Sequence, residues 1–381
     1  MKRILYPILV IVSLLTVGCG DKADDPTPPV EPDVDPVSRT VLVYMVADNS
    51  LGNAAFDVAD LREMMTAIGD GALNGGRLLA YWNCVQTEGG IPPRLFEVTA
   101  DGIKELKRYP DDTSIYSVDP ERISEVMTDF KSYAPADEYG IIFWSHANGW
   151  LGAPSDAAGP KYRAFGDDRG YHITLPSLAG ALEGQQFAFI YFDCCLMGNI
   201  ETVYELRRFA PVIAASPTEL GVEGMPYDQT LRYFFLPEPD VVGAARTTFE
   251  RYSSNGMECQ LAVYSTAGLD RLAEESRTVI SAATDPFTPE VNSLQRYVKP
   301  RDYNSSVDMR DYYDLLGATA SWHTAFDSVV LWKAATRRAI GDFTVDPDAF
   351  CGLGSHAPRS ESDLNYRGYA DLAWCKYVWG K

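Results

Sequence analysis

Histidine is scarce in this chain. Its 381 residues hold four, His146, His172, His323 and His356, so any chemistry that pairs an imidazole with another side chain must draw on these. Basic residues are also few, 33 Lys and Arg against 53 Asp and Glu, for a formal charge of −20. Nucleic-acid binding needs clusters of Lys and Arg against phosphate, so no nucleic-acid partner is expected. An acidic surface attracts basic peptides or divalent cations instead; no cofactor is expected, with calcium left open. The seven cysteines include no C-x-x-C pair, which excludes zinc-ribbon and thioredoxin-like motifs. Their spacing is not that of a disulfide-dense scaffold, and a chain that is 46% hydrophobic has apolar residues enough for a large core without one. No run is long enough to span a membrane comfortably, the apolar stretch at residues 4–15 included.

What is present begins with an export leader. Lys2 and Arg3 precede the apolar stretch, and "TVGC" closes it at Cys19. Gly18 before Cys19 resembles a bacterial lipoprotein signal, in which the cysteine is acylated and becomes the new N-terminus, although Thr16 stands where Leu is usual. An ordinary signal peptide cut nearby is the alternative. Residues 1–18 are read as the signal, and losing Lys2 and Arg3 with it takes the charge from −20 to −22. Residues 19–38 are rich in Pro and Asp and cannot bury enough surface to fold, so they form an extended linker. Acids this close to a lipidated cysteine resemble surface-export signals of Gram-negative lipoproteins. The expectation is a monomer tied to the membrane by a lipid on Cys19, at the outer membrane or cell surface, or facing the periplasm.

From residue 39 onward, apolar β-rich runs alternate with helical patterns. Strands are expected at 39–47, 76–85, 138–146, 186–195 and 211–216, and an edge hairpin at 94–109. Helices are expected at 56–68, 120–133 and 200–210, and further on at 240–255, 267–284, 308–320 and 329–340, around a strand at 259–265. This alternation predicts an α/β fold with a mainly parallel sheet and helices on both faces. Residues 39–235 would be the catalytic domain, and 236–381 a helical or α+β extension packed on it.

Ligands of such sheets bind beyond the C-terminal ends of the strands. "IIFWSHANGW" brings His146 to one strand end, and "FIYFDCCLMG" brings Cys195 to another. Taken singly, the first is more often a structural histidine and the second a small buried hydrophobe. On neighbouring strands they would place an imidazole and a thiol on one rim, as nucleophilic catalysis requires. A helix from about Leu196 would set its N-terminus behind Cys195 and favour the thiolate. Side chains alternate along a strand, so Cys194 would point away from the rim. Cys194 and Cys195 as a redox pair would need a strained ring. Asp48 and Asn49 in "VADNS" read as the cap of the next helix, and His172, His323 and His356 as structural or exposed.

"WSHANGW" followed by "FDCCLMGNIETVYEL" resembles the clostripain family of cysteine peptidases, in the clan of caspases, legumains and gingipains. "LVYMVADNSLGNAAFDVADLREM" (42–64), "AASPTELGVEGMPYD" (214–228), "DMRDYYDLL" and "GLGSHAP" extend the likeness over most of residues 39–381. The resemblance implies a caspase-like sheet and an exported endopeptidase with His146 as general base and Cys195 as nucleophile. It implies an oxyanion site at the backbone amides of Ala147 and Cys195, and cleavage of a peptide or protein substrate after Arg or Lys. Asp193, with Glu219 and Glu223, would recognise the basic side chain. Ala147 stands where the family has Gly, so a positive φ there would strain the methyl. That substitution and a less acidic 217–223 loop favour the alternative, a catalytically weakened lipoprotein that binds peptides or proteins. Lys161, Arg163 and Arg169 lie between histidine and cysteine, where many family members are cut.

Overall fold

The apolar run near residue 40 becomes β1 (Val37–Val46), at the heart of a nine-stranded sheet. The computed structural model describes residues 37–85, 91–110, 112, 114–151, 164–287, 293–298 and 306–381. The leader, Cys19, the linker up to residue 36, Lys161 and Arg163 lie outside the described residues. Successive β1 residues face opposite layers: Leu42, Tyr44 and Val46 enter one core, and Val41, Val43 and Met45 the other. A strand covered on both faces has no polar side, which is why the run is almost continuously apolar.

Around β1 lie β2 (Arg77–Asn83), β3 (Arg94–Thr99), β4 (Gly102–Arg108) and β5 (Ala136–Trp144). A short hairpin, β6 (Phe165–Asp168) with β7 (Tyr171–Ile173), precedes β8 (Phe189–Asp193) and β9 (Val212–Ala215). The later chain supplies β10 (Gln260–Ser265), β11 (Ser306–Asp308), β12 (Val330–Ala335), β13 (Arg338–Ala339), β14 (Phe343–Thr344) and β15 (Gly354–His356). The large sheet runs β12-β10-β9-β8-β5-β1-β2-β3-β4. Its five middle strands, β9 to β2, are parallel, and antiparallel strands finish both sides. The mainly parallel, caspase-like sheet expected from the sequence is the one observed.

One face carries α2 (Phe56–Gly69), reached through the single turn α1 (Ser50–Asn53). The other carries α3 (Pro120–Tyr133), α4 (Leu175–Ala181) and α5 (Ile200–Glu205). The layers are completed by α6 (Tyr227–Phe234) and α7 (Val241–Ser254) beside α2, and by α8 (Leu269–Ala282), α9 (Met309–Leu315), α10 (Ala320–Asp327) and α11 (Ala373–Val378) opposite. Pro120 begins α3, where its missing N–H costs nothing. Among the described residues no helix is long and apolar enough to cross a membrane.

Two expectations fail. Residues 329–340 do not form a helix: 330–335 are the edge strand β12, antiparallel to β10. Ala, Leu and Lys favour a helix locally, but Leu331 and Lys333 face solvent while Trp332 packs edge-on to Phe249, a period of two set by tertiary contact. No helix starts at Leu196 either. That residue is left-handed, with φ 64°, and α5 begins only at Ile200, capped by the Asn199 side chain on the Thr202 amide at 2.8 Å.

The C-terminal strand β15 braces this turn. Gly354 N donates to Gly198 O at 2.9 Å, and His356 N to Glu201 Oε1 at 2.8 Å. Glu201 is wholly buried, and burial pushes its carboxyl up to about 7 despite the His356 amide. The folded protein thus keeps a proton that the unfolded chain releases near its ordinary value of 4.5. Stability from this group is complete below that value and is lost as pH rises through about 7. Glu201→Gln keeps the acceptor for His356 and removes the titration. Urea unfolding should show the variant gaining on wild type by about 2–3 kcal/mol between pH 4 and pH 8; a difference independent of pH would refute this assignment.

Candidate active site

β5 and β8 are hydrogen-bonded parallel neighbours, with Trp144 opposite Asp193. The chain therefore leaves both strands on the same rim, with His146 two residues beyond one and Cys195 two residues beyond the other. Both line a cleft of about 620 Å³, with Ala147, Asp193, Cys194, Glu219 and Glu223. The two cysteines separate as strand alternation demands. Cys194 is buried in the α5 layer, and Cys195 is partly exposed against the α7 layer. All six described cysteines are free, so this pair is not bridged.

Cys195 Sγ accepts a hydrogen bond from Leu220 N at 3.3 Å and lies 3.7 Å from Leu220 O. Enclosure of the sulfur pushes the thiol up to about 11; the Leu220 amide opposes this, and Glu219 and Asp193 add to it. With α5 starting four residues beyond Leu196, no helix N-terminus offsets that burial. In this state the thiol is protonated at neutral pH, contrary to the expectation of a favoured thiolate.

His146 is half-buried, and its Nε2 lies 2.8 Å from Ser50 Oγ. Burial holds the imidazole below its ordinary value, against the pull of Asp167. Its backbone is fixed by β6, through Gly166 N to His146 O at 3.0 Å and Asn148 N to Ala164 O at 2.9 Å. These bonds flank Ala147, whose own amide takes no part in them. Ala147 does not have a positive φ. The left-handed position is Gly149, with φ 67°, where a Cβ would lie 2.8 Å from Leu196 O and 3.0 Å from Asn199 Nδ2. The glycine this segment needs is present, two residues from where strain was expected.

Asp193 is buried at the cleft wall, accepting from Met225 N at 2.9 Å and Tyr227 OH at 3.0 Å. Behind the cleft, Asp60 accepts from Trp144 Nε1 at 2.6 Å. Burial pushes both carboxyls up, and Asp60 rises further because Asp193 is beside it. Glu223 stands exposed at the rim and Glu219 is half-buried. Asn49 caps α1, its Oδ1 accepting from Leu51 N at 2.9 Å. Arg169 lies in a left-handed turn, φ 54°, paired with Asp168 at 2.8 Å and stacked over Tyr116. That conformation is unlike the extended chain a peptidase binds. Among the described residues no group of three or more His, Cys, Asp or Glu could hold a metal ion.

The clostripain family model matches residues 43–342. The chain belongs to the clostripain family of cysteine peptidases. Among solved structures, an inactive zymogen C11 protease from Parabacteroides distasonis is 30% identical, with 91% of this chain and 99% of that one covered and a TM-score of 0.77. A secreted C11 cysteine protease from Bacteroides thetaiotaomicron, in complex with an irreversible peptide inhibitor, is 26% identical over 90% of this chain and 99% of that one, with a TM-score of 0.72. No curated protein matches the sequence. This clostripain-family protein is a cysteine protease by family, and its cleft lies at the strand ends where the sequence motifs converge.

Two residues at the site escaped the sequence reading. Asp60 carried a signal, an acid on the apolar face of an amphipathic helix. Ser50 carried none beyond its place in "VADNS". The backbone geometry gives a test of the Ala147 departure. Gly149→Ala should lose about 1–3 kcal/mol in thermal or urea unfolding, from left-handed strain and the Leu196 contact. Ala147→Gly should gain no activity. A variant at 147 with raised turnover would restore the case for a strained oxyanion loop.

Proposed function

We propose that this protease is an endopeptidase that uses a Cys195–His146 dyad and cleaves after Arg or Lys. The observation that carries the reading is the meeting of His146 and Cys195 at one cleft, from adjacent parallel strands. His146 takes the Sγ proton as sulfur attacks the scissile carbonyl carbon. The resulting oxyanion is received by the amides of Ala147 and Cys195. The C–N bond breaks as His146 returns that proton to the leaving amine. Water, deprotonated by His146, then attacks the thioester, releasing the acid and restoring the thiol.

The basic preference rests on charge. Asp193, Glu219 and Glu223 line the cleft, and among the described residues no Lys or Arg does. A Lys or Arg side chain entering beside Asp193 would add a cation to the two neutral donors that carboxyl already has. The leader supports lipidation at Cys19 and display at the outer membrane or cell surface, and the solved B. thetaiotaomicron relative is a secreted protein. The protonated Cys195 held at Leu220 supports a resting state in which the 219–224 loop must shift before the thiol is freed. The rival reading as a weakened binder loses its strain argument, because Ala147 is not left-handed.

An acyloxymethyl ketone peptide ending in Lys or Arg should label wild type and Cys194→Ala, and should leave Cys195→Ala unlabelled. Mass spectrometry of the tryptic peptides would place the adduct. Labelling that survives Cys195→Ala, or wild type that takes no warhead even after limited proteolysis, would sink the dyad. With an Ala or Glu P1 residue, labelling should slow by about tenfold or more, since a pocket built to pair a polar group rejects a side chain that leaves its buried partners unpaired.

A further inference from the structure

The contact between Ser50 and His146 is used by nothing described so far. Ser50 opens the single-turn helix α1, directly after β1, and its Oγ lies 2.8 Å from His146 Nε2. Its position is set by a frame that joins three segments. Asn49 Nδ2 donates to Val46 O at the end of β1, at 2.9 Å, and to Asp167 O in β6, at 2.7 Å. Ser145, beside His146, donates through Oγ to the same Val46 O at 2.7 Å and accepts from Asp167 N at 3.1 Å. The helix itself is pressed against β1. A Cβ on Gly52 would fall 1.9 Å from Ala47 O, a position only glycine can occupy. Serine and imidazole are thus carried on one rigid corner of the sheet.

We propose that Ser50 is a positioning residue for His146, accepting the Nε2 proton and so leaving Nδ1 as the nitrogen that exchanges a proton with Cys195. The inference rests on the dyad reading above. An imidazole has two nitrogens, and the one committed to a hydrogen bond decides the role of the other. With Nε2–H held by Ser50 Oγ, neutral His146 has its lone pair on Nδ1 and can act as a base there. When His146 becomes doubly protonated, Ser50 still accepts from Nε2 and Nδ1–H is the acid for the leaving amine. The same bond serves both halves of the cycle without moving. Asp167 on β6 is the charged group acting on the ring, and the other ionisable groups lining the cleft are Asp193, Cys194, Cys195, Glu219, Glu223, Tyr252 and Glu258. None of these needs to bond Nε2 for the scheme to work.

Ser50 is exposed, so its bond adds little to folding stability, and a positioning role separates cleanly from a structural one. The test uses the full chain as wild type, Ser50→Ala and Ser50→Thr. Turnover of a peptide ending in Lys or Arg is followed against pH, alongside 15N spectra of histidine-labelled protein, with His146→Gln assigning the signal among the four histidines. Wild type should show His146 as the Nε2–H tautomer when neutral. Ser50→Ala should give mixed tautomers, an altered acid limb of kcat/KM, and kcat lower by about tenfold, less than the ~100-fold or more that a positioned acid–base group itself supplies, because His146 remains. KM and melting temperature should stay unchanged, and Ser50→Thr should restore both tautomer and kcat. An Nδ1–H tautomer in wild type, a tautomer balance indifferent to Ser50→Ala, or an unchanged kcat in that variant would each overturn the proposal. Wild type that neither turns over nor takes the ketone at Cys195 fails the dyad reading instead. The tautomer measurement then still decides whether Ser50 orients the ring.

Discussion

The parallel pairing of β5 with β8 is the constraint on which this molecule depends. It aligns two strands whose ends are about fifty residues apart in sequence, so that Trp144 faces Asp193 and the next residues emerge together. Parallel strands cannot be joined by a tight turn. The connection must cross one face of the sheet, and here it spends β6, β7 and α4 on the way. Those elements are not idle. Through Gly166, Ala164 and Asp167 they fix the backbone around His146 and bond Asn49. From the other side, β15 and Glu201 fix the turn after Cys195. Two side chains are held at the rim by contributions from both ends of the chain.

Burial raises the enclosed carboxyls around the cleft, and it acts twice on the chemistry. It keeps Asp193, Asp60 and Glu201 above their ordinary range, because a carboxylate loses water without gaining a cation. It raises the Cys195 thiol as well, and the carboxyls at Glu219 and Asp193 reinforce that. A cationic side chain entering the cleft would oppose both effects at once. It would give the carboxyls a partner and shift the local potential in favour of thiolate. On the proposed reading, recognition of a basic side chain and activation of the thiol would be electrostatically linked through Asp193, two residues from Cys195.

The sheet was legible in the sequence because a strand buried on both faces leaves an unmistakable run, as in "IIFWSH" and "FIYFD". The cleft was legible because strand ends are where such folds bind ligands. What failed were features decided by contacts distant in sequence. Residues 330–335 carry helix-forming Ala, Leu and Lys, yet β10 recruits them as an edge strand. The turn at Leu196–Asn199 uses a left-handed leucine, which no propensity predicts, and it moves α5 away from the thiol. Ala147 drew suspicion because a glycine was missing. The strained position is Gly149, and backbone dihedrals, not residue identity, show it. Ser50 was invisible for the same reason, since its partner lies 96 residues away.

The loop after β9 gathers these threads. Leu220 holds the Cys195 sulfur through its backbone, while Met225 N binds Asp193 a few residues later. Gly224, with φ 62°, lets the loop pass within 3.0 Å of Asp193 Oδ2, measured from where a Cβ would be. Glu219 and Glu223 sit on the same segment. One short stretch therefore touches the Cys195 sulfur, the acid at the cleft wall and the rim. On the proposed reading, a substrate that engages the acids would meet the same loop whose backbone holds the thiol. Substrate recognition and release of the thiol would, on that reading, share this one segment, since the contacts to Cys195 and to Asp193 lie five residues apart.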